Sequence, residues 1–149
     1  KTTLLEKLIA ELKKRGYRVA TVKHHYHAGF DIDHPGKDSW RHAQAGSDHV
    51  VVASPDKIAT YRFLDREMSL PEIAAGISGV DIILAEGFKR AGMPAIEVVR
   101  QERGLDLIGD QRHCFAVVSD TPLETGIRQF DLDDSTGITD LIVERYLSR

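Results

Sequence analysis

A single cysteine, Cys114, stands among the 149 residues, so no internal disulfide can form and no thiolate cage for zinc exists. A reducing compartment is the expectation. No apolar run approaches the roughly 20 residues that span a bilayer, and no secretory leader is visible. A cytoplasmic protein without a membrane span is therefore expected. Basic excess is lacking too: 20 Lys and Arg against 23 Asp and Glu leave a net charge of −3. With nothing to neutralise a row of phosphates, a general nucleic-acid surface is excluded, although a local basic pocket is not. Low-complexity tracts, internal repeats and linker-like stretches are also missing. What is present, 42% hydrophobic and 29% charged residues, is ordinary globular composition, and this length normally makes one domain with a real core. A single domain over residues 1–149 is expected.

The patterning alternates between helix and buried strand. Leu4, Leu5, Leu8, Ile9 and Leu12 recur at helical spacing from Lys1, with Gly16 as a stop. The run Arg18 to Lys23 is short and nearly continuous in apolar residues, which predicts a strand covered on both faces. Residues 25–37 carry loop chemistry, and Asp38 or Ser39 opens a short helix that ends at Gly46. His49 to Ala53 and Lys57 to Phe63 predict an antiparallel hairpin around Ser54-Pro55-Asp56. Ser69-Leu70-Pro71-Glu72 begins another short helix. Asp81 to Ala85, Ala95 to Arg100 and Cys114 to Val118 are further strands, and Gly137 to Leu147 is a final helix. The expected fold is α/β, a three-layer sandwich with a mainly parallel sheet and the 49–63 hairpin as an antiparallel annex.

Ligands of open parallel sheets bind beyond the carboxyl ends of the strands, which directs attention to four places. Lys1-Thr2-Thr3 runs straight into the first helix and matches the end of a phosphate-binding loop, Gly-Lys-[Ser/Thr]. In such a loop helix amides and the dipole hold the phosphates, the lysine reaches the β/γ oxygens, and the hydroxyl ligates Mg²⁺. The alternative is a frayed helix start. Glu86, after Ile82-Ile83-Leu84-Ala85, stands where an acid beside such a loop holds Mg²⁺ directly or through water, and Gly87 lets the backbone turn close to a ligand. Asp81, at the strand's entry, is a solvated strand-start residue. Lys23-His24-His25-Tyr26-His27 leads to Asp31, Asp33 and His34. That cluster reads either as a transition-metal site or as a polar loop whose Lys23, His24, Lys37 and Asp38 contact phosphate. Asp120, after the strand ending at Val118, could accept hydrogen bonds from guanine, or could simply sit in a turn before Pro122. Cys114, Trp40, Tyr61, Phe63 and Tyr146 read as core or interface.

Taken together, Lys1-Thr2-Thr3-Leu4-Leu5, Val22 to His27, Pro35-Gly36-Lys37-Asp38-Ser39, Ala45-Gly46, Ala85-Glu86-Gly87-Phe88-Lys89 and Val118 to Leu123 resemble, in order and spacing, the molybdopterin-guanine dinucleotide biosynthesis protein B family (MobB). The resemblance spans nearly the whole chain, with Gly-Lys-Asp-Ser and Glu-Gly-Phe-Lys its most specific parts. It implies a homodimeric GTP-binding protein with P-loop fold and weak GTPase activity, which assists a guanylyltransferase in attaching GMP to molybdopterin. Under it, Lys1 and Thr3 belong to the phosphate loop, and Thr2 and Glu86 are the Mg²⁺-side residues. Lys23, His24, Gly87 and the Lys37-Asp38-Ser39 turn line the nucleotide or pterin pocket. Asp120 as guanine reader rests on strand position alone. The family's first strand and the glycines before its lysine are not among the 149 residues, and residues upstream of Lys1 are expected.

No glutamine placed to orient water follows Glu86, so hydrolysis is expected to be slow or completed by a partner. A non-hydrolysing adapter that binds nucleotide or pterin is the second reading. A nickel-type metal-insertion GTPase using His24, His25, His27 and His34 ranks below it. A small-molecule kinase would need an arginine-bearing lid, which Arg62, Arg66, Arg100, Arg103 and Arg112 do not form in sequence.

Overall fold

The structure, a computed structural model, describes residues 1–27 and 29–148. Its contacts gather into two compact units, residues 1–24 with 69–149, and residues 25–68.

In the larger unit, α1 (Thr2–Lys14) buries Leu4, Leu8 and Leu12 along one face, the i, i+4, i+8 row of a helix. Lys13 and Lys14 in its last turn suit the negative end of the dipole. The helix carries no side-chain cap and no acid in its first turn, so the positive end is not neutralised from within. Strands β1 (Val19–Lys23) and β4 (Ile82–Glu86) pair in parallel, with Val19 opposite Ile82 and Lys23 opposite Glu86. Between them in sequence, α3 (Leu70–Ala75) starts at a reciprocal cap: Ser69 Oγ accepts from Glu72 N, and the Ser69 N–H donates to Glu72 Oε2 at 2.8 Å. Strands β5 (Ala95–Val99), β6 (Cys114–Ser119) and β7 (Gln129–Phe130) make a second, three-stranded parallel sheet with β6 in the middle. Helix α4 (Ser135–Ile142) runs on into a π-helical turn, Val143–Leu147. The core joins Leu4 and Leu8 to Ala116, Val118, Phe130 and Ile138, with Ile82 and Leu84 packed against it. Arg15 donates to Glu11 at 3.1 Å and reaches Asp140 at 2.7 Å, while Lys7 meets Asp133 at 2.6 Å. These ion pairs set the lie of α1 against α4 and its approach more than they stabilise it.

The smaller unit holds α2 (Asp38–Gln44) and the antiparallel pair β2 (His49–Ala53) and β3 (Ile58–Arg62). The turn closes through Ser54 N to Lys57 O at 2.8 Å and Ser54 Oγ to Asp56 at 2.7 Å. Tyr61 Oη donates to Asp33 at 3.0 Å. That bond and, above all, one from the Ser39 hydroxyl hold the Asp33 carboxyl below its usual range.

The fold is α/β with mainly parallel strands and an antiparallel hairpin, as expected. Among the described residues, the parallel strands pair as β1 with β4 and as β5-β6-β7. β1 is not covered on both faces as its apolar run predicts: Thr21 and Lys23, which share one face, are exposed. β7, two residues long, carries no periodicity that sequence can show. Among the described residues, no helix is long and apolar enough to cross a membrane.

Ile138 lies fully buried in the α1–β6–α4 core, so Ile138→Ala should lower unfolding free energy by about 2–5 kcal/mol in urea titration. Asp110, held at about 2 mainly by its hydrogen bonds with Arg112, has a pKa depressed on folding. Its contribution is present above the ordinary aspartate range and is lost as pH falls toward 2. The urea midpoints of the wild type and Asp110→Asn should therefore differ at pH 5 and converge between pH 4 and 2.

Candidate functional site at the first turn of α1

The carboxyl ends of β1 and β4 and the N-terminal turn of α1 come together. Thr2 Oγ1 donates to Glu86 Oε1 at 3.4 Å, across 84 positions of sequence. Glu86 is the last residue of β4 rather than the first residue after it, and it is half-buried. Lys23 sits opposite it in the register at the end of β1. The His24 N–H donates to Glu86 O at 2.8 Å, which carries the pairing one residue past the strand. At 3.4 Å the hydroxyl–carboxylate pair is longer than an optimal bond, so two oxygen donors stand side by side without being locked to each other.

Gly87 explains why the backbone after Glu86 needs glycine. Its φ is +96°, in the left-handed region. A Cβ built there would lie 3.0 Å from His24 Cβ and 3.3 Å from His24 O. The His24 ring in turn packs on Phe88, centroids 5.0 Å apart at 47°. His24 and Gly87 are thus two halves of one tight crossing of the β1 and β4 exits.

Beside the first turn of α1 lies a cleft of about 140 Å³ lined by Lys1, Thr3, Lys7, Val98, Arg100 and Asp133, among others. Asp133 is taken by Lys7, whose ammonium holds its carboxyl below the usual range. Lys1 and Arg100 supply the remaining cations. Arg100 was overlooked at this site, having been weighed only as a kinase lid residue. It follows the last residue of β5, and the rule that selected Glu86 and Asp120 would have selected it as well.

Asp120 is exposed just past β6, and its Oδ1 accepts from Gln101 N at 2.9 Å. One carboxylate oxygen is thereby used to tie the exit of β6 to the 3₁₀ turn Gln101–Arg103 after β5. Lys37 and Asp38 lie in the smaller unit, Lys37 as backbone cap of α2 and Asp38 3.9 Å from Arg41. The histidine cluster does not assemble as a metal cage. His25 Nδ1 bonds His27 O at 2.8 Å, and Asp33 is engaged by Ser39 and Tyr61. Among the described residues, no three or more His, Cys, Asp or Glu are grouped to hold a metal. Cys114 is half-buried, its thiol donates to Ala116 O at 3.2 Å, and burial pushes its pKa up.

Thr2 and Glu86 are oxygen donors, the chemistry that Mg²⁺ prefers, and that ion usually takes only one or two protein ligands and keeps its waters. The donor set fits magnesium and does not fit a soft transition metal.

The family model described as molybdopterin guanine dinucleotide synthesis protein B matches residues 1–120. The molybdopterin-guanine dinucleotide biosynthesis adapter protein of Escherichia coli is 39% identical over 151 aligned residues, covering 97% of this chain and 85% of its own. Its namesake in Haemophilus influenzae is 38% identical, covering 95% of this chain and 80% of its own. A crystal structure of molybdopterin-guanine biosynthesis protein B superposes with a TM-score of 0.76 at 31% identity, over 96% of this chain and 90% of that one.

Gly87→Ala must strain a positive φ and push Cβ against His24. It should cost about 1–3 kcal/mol of stability by urea unfolding, whereas Gly104→Ala, with φ +95° but nothing within 4 Å of its Cβ, should cost less.

Proposed function

The chain belongs to the molybdopterin guanine dinucleotide synthesis protein B family, and from that premise we propose that it is a Mg-GTP-binding adapter in molybdopterin guanine dinucleotide formation. In this reading it assists the guanylyltransferase that joins GMP to molybdopterin, works as a cytoplasmic homodimer, and hydrolyses GTP slowly. The observation that carries the nucleotide part is the meeting of Thr2 with Glu86 at 3.4 Å, in the first turn of α1. The adapter part is supported by the name of the relatives at 39% and 38% identity.

The first-turn amides of α1 and the Lys1 ammonium receive the β and γ phosphates, helped by the helix dipole. Thr2 and Glu86 would hold magnesium, which, when bound, neutralises charge on the β and γ oxygens. Lys23 and His24, at the exit of β1, face the same carboxyl edge and extend the polar rim. Asp120, with one oxygen committed to Gln101 and the other uncommitted, offers an acceptor to the guanine edge. Hydrolysis under this arrangement depends on positioning and charge stabilisation, with no covalent intermediate. The exposed apolar strand residues Val51, Val52 and Ile58 support the hairpin as the dimer contact.

Calorimetric titration of the full-length protein with Mg-GTP and Mg-ATP tests the proposal. GTP should bind at least about tenfold more tightly than ATP, a difference of about 1.4 kcal/mol. Lys1→Ala should abolish measurable binding, and Glu86→Gln should remove most of the magnesium dependence. A folded full-length protein that binds neither nucleotide would overturn the reading.

A further inference from the structure

The Glu-Gly-Phe-Lys segment contributes Glu86 and Gly87 to the site above, but its Lys89 opens onto a different cleft. That cleft has a volume of about 490 Å³ and is lined by Lys89, Arg90, Ile108, Asp110, Arg112 and His113, with two glycines. Its walls are constructed. The Glu97 carboxylate, on β5, accepts the backbone N–H of Ile108 at 2.9 Å and that of Gly109, which pins the loop that carries Ile108. Ala95 N donates to His113 O at 2.9 Å, which fixes the opposite wall at the start of the same strand. Asp110 accepts from Arg112 N at 3.1 Å and Arg112 Nη2 at 2.6 Å and so holds the guanidinium in place. At Gly92 the absence of a side chain leaves the edge of His113 open, since a Cβ there would come within 3.9 Å of Nε2.

The charge in this cleft is unbalanced. Three full cations face one carboxylate, and that carboxylate is committed to Arg112. Among the described residues, the side chains of Lys89 and Arg90 have no hydrogen-bond, ion-pair or ring partner. Two unpartnered cations beside a fixed guanidinium make a receptor for a compact dianion. The cleft is larger than a bare phosphate requires and lies within the range of small-molecule sites, about 300–1,000 Å³. Ile108, 67% exposed, adds an apolar surface beside the cations.

We propose that this cleft binds a small organic phosphate, with the phosphate group on Lys89, Arg90 and Arg112 and the organic body against Ile108. The site shares no lining residue with the cleft at α1, and the inference stands independently of the nucleotide reading.

The test is amide NMR of the full chain titrated with phenyl phosphate, with inorganic phosphate and phenol as separate arms. Phenyl phosphate should shift the amides of Gly92, Gly109, Arg112 and His113 saturably and more tightly than inorganic phosphate, and phenol should leave them in place. In the double variant Lys89→Gln/Arg90→Gln, whose altered side chains are exposed, the affinity at these amides should fall about tenfold or more. The amides of Thr2 and Thr3 report separately on any phosphate bound at α1. Cleft amides that do not move, or that move with unchanged affinity in the double variant, overturn the proposal. Phenol shifting them as strongly as phenyl phosphate would show an apolar pocket instead of an anion site, and equal affinity for inorganic phosphate would remove the organic component.

Discussion

Everything at the carboxyl edge depends on the burial of one face of α1. Leu4 and Leu8 are packed into the β6–α4 core, so the helix cannot rotate about its axis without exposing them, at about 1.5–3 kcal/mol each. That constraint aims the first turn, and only then do the amides after Lys1 and the hydroxyl of Thr2 arrive beside Glu86. The ion pairs of Lys7 with Asp133 and Arg15 with Asp140 act at the middle of the same helix and just past its last residue. They are partly exposed and weak individually, but they oppose sliding along the axis, which the leucine row alone resists less. A helix held against rotation and translation presents a fixed set of donors in its first turn.

Legibility in the sequence followed the range of the interaction. Elements stabilised by their own residues were readable: the leucine row of α1, the capping box at Ser69, and the Ser54-Pro55-Asp56 turn of the hairpin all appear where their local chemistry places them. The pairing of Thr2 with Glu86 was reachable as well, because a topological rule about strand ends substitutes for the missing distance information. Arg100 was misplaced because it was read as the last strand residue, although the same rule covers it. Glu97 gave no signal at all. Its role is to accept two backbone N–H groups from a loop 11 and 12 residues further on, and no local pattern distinguishes that from a strand residue facing water.

The histidine-rich stretch shows how composition misleads when geometry is unknown. Four histidines and two aspartates within 11 residues invite a metal reading, yet several of them are engaged locally. His24 continues the β1–β4 pairing through its backbone and packs its ring on Phe88, His25 bonds the His27 carbonyl, and Asp33 serves Tyr61 and Ser39. Metal binding needs side chains that converge, and a stretch leaving a strand tends to splay them. The close approach of Gly87 to His24 reinforces this by fixing where His24 leaves the sheet.

Net charge is a poor guide to anion binding in this chain. At −3 overall, the protein offers a polyanion little long-range attraction, and beyond about 8–10 Å that attraction is screened at physiological salt anyway. What counts is how cations are distributed against the acids that could neutralise them. Beside α1, Asp133 is occupied by Lys7, which leaves Lys1 and Arg100 to face a ligand; in the 89–113 cleft, Asp110 is occupied by Arg112, which leaves Lys89 and Arg90. In both places one ion pair holds the local carboxylate; Arg100 also lies 4.0 Å from Glu102, whereas Lys89 and Arg90 have no partner among the described residues. Affinity built this way is short-ranged, so it discriminates by the shape and charge of the group that enters rather than by attracting every anion in solution.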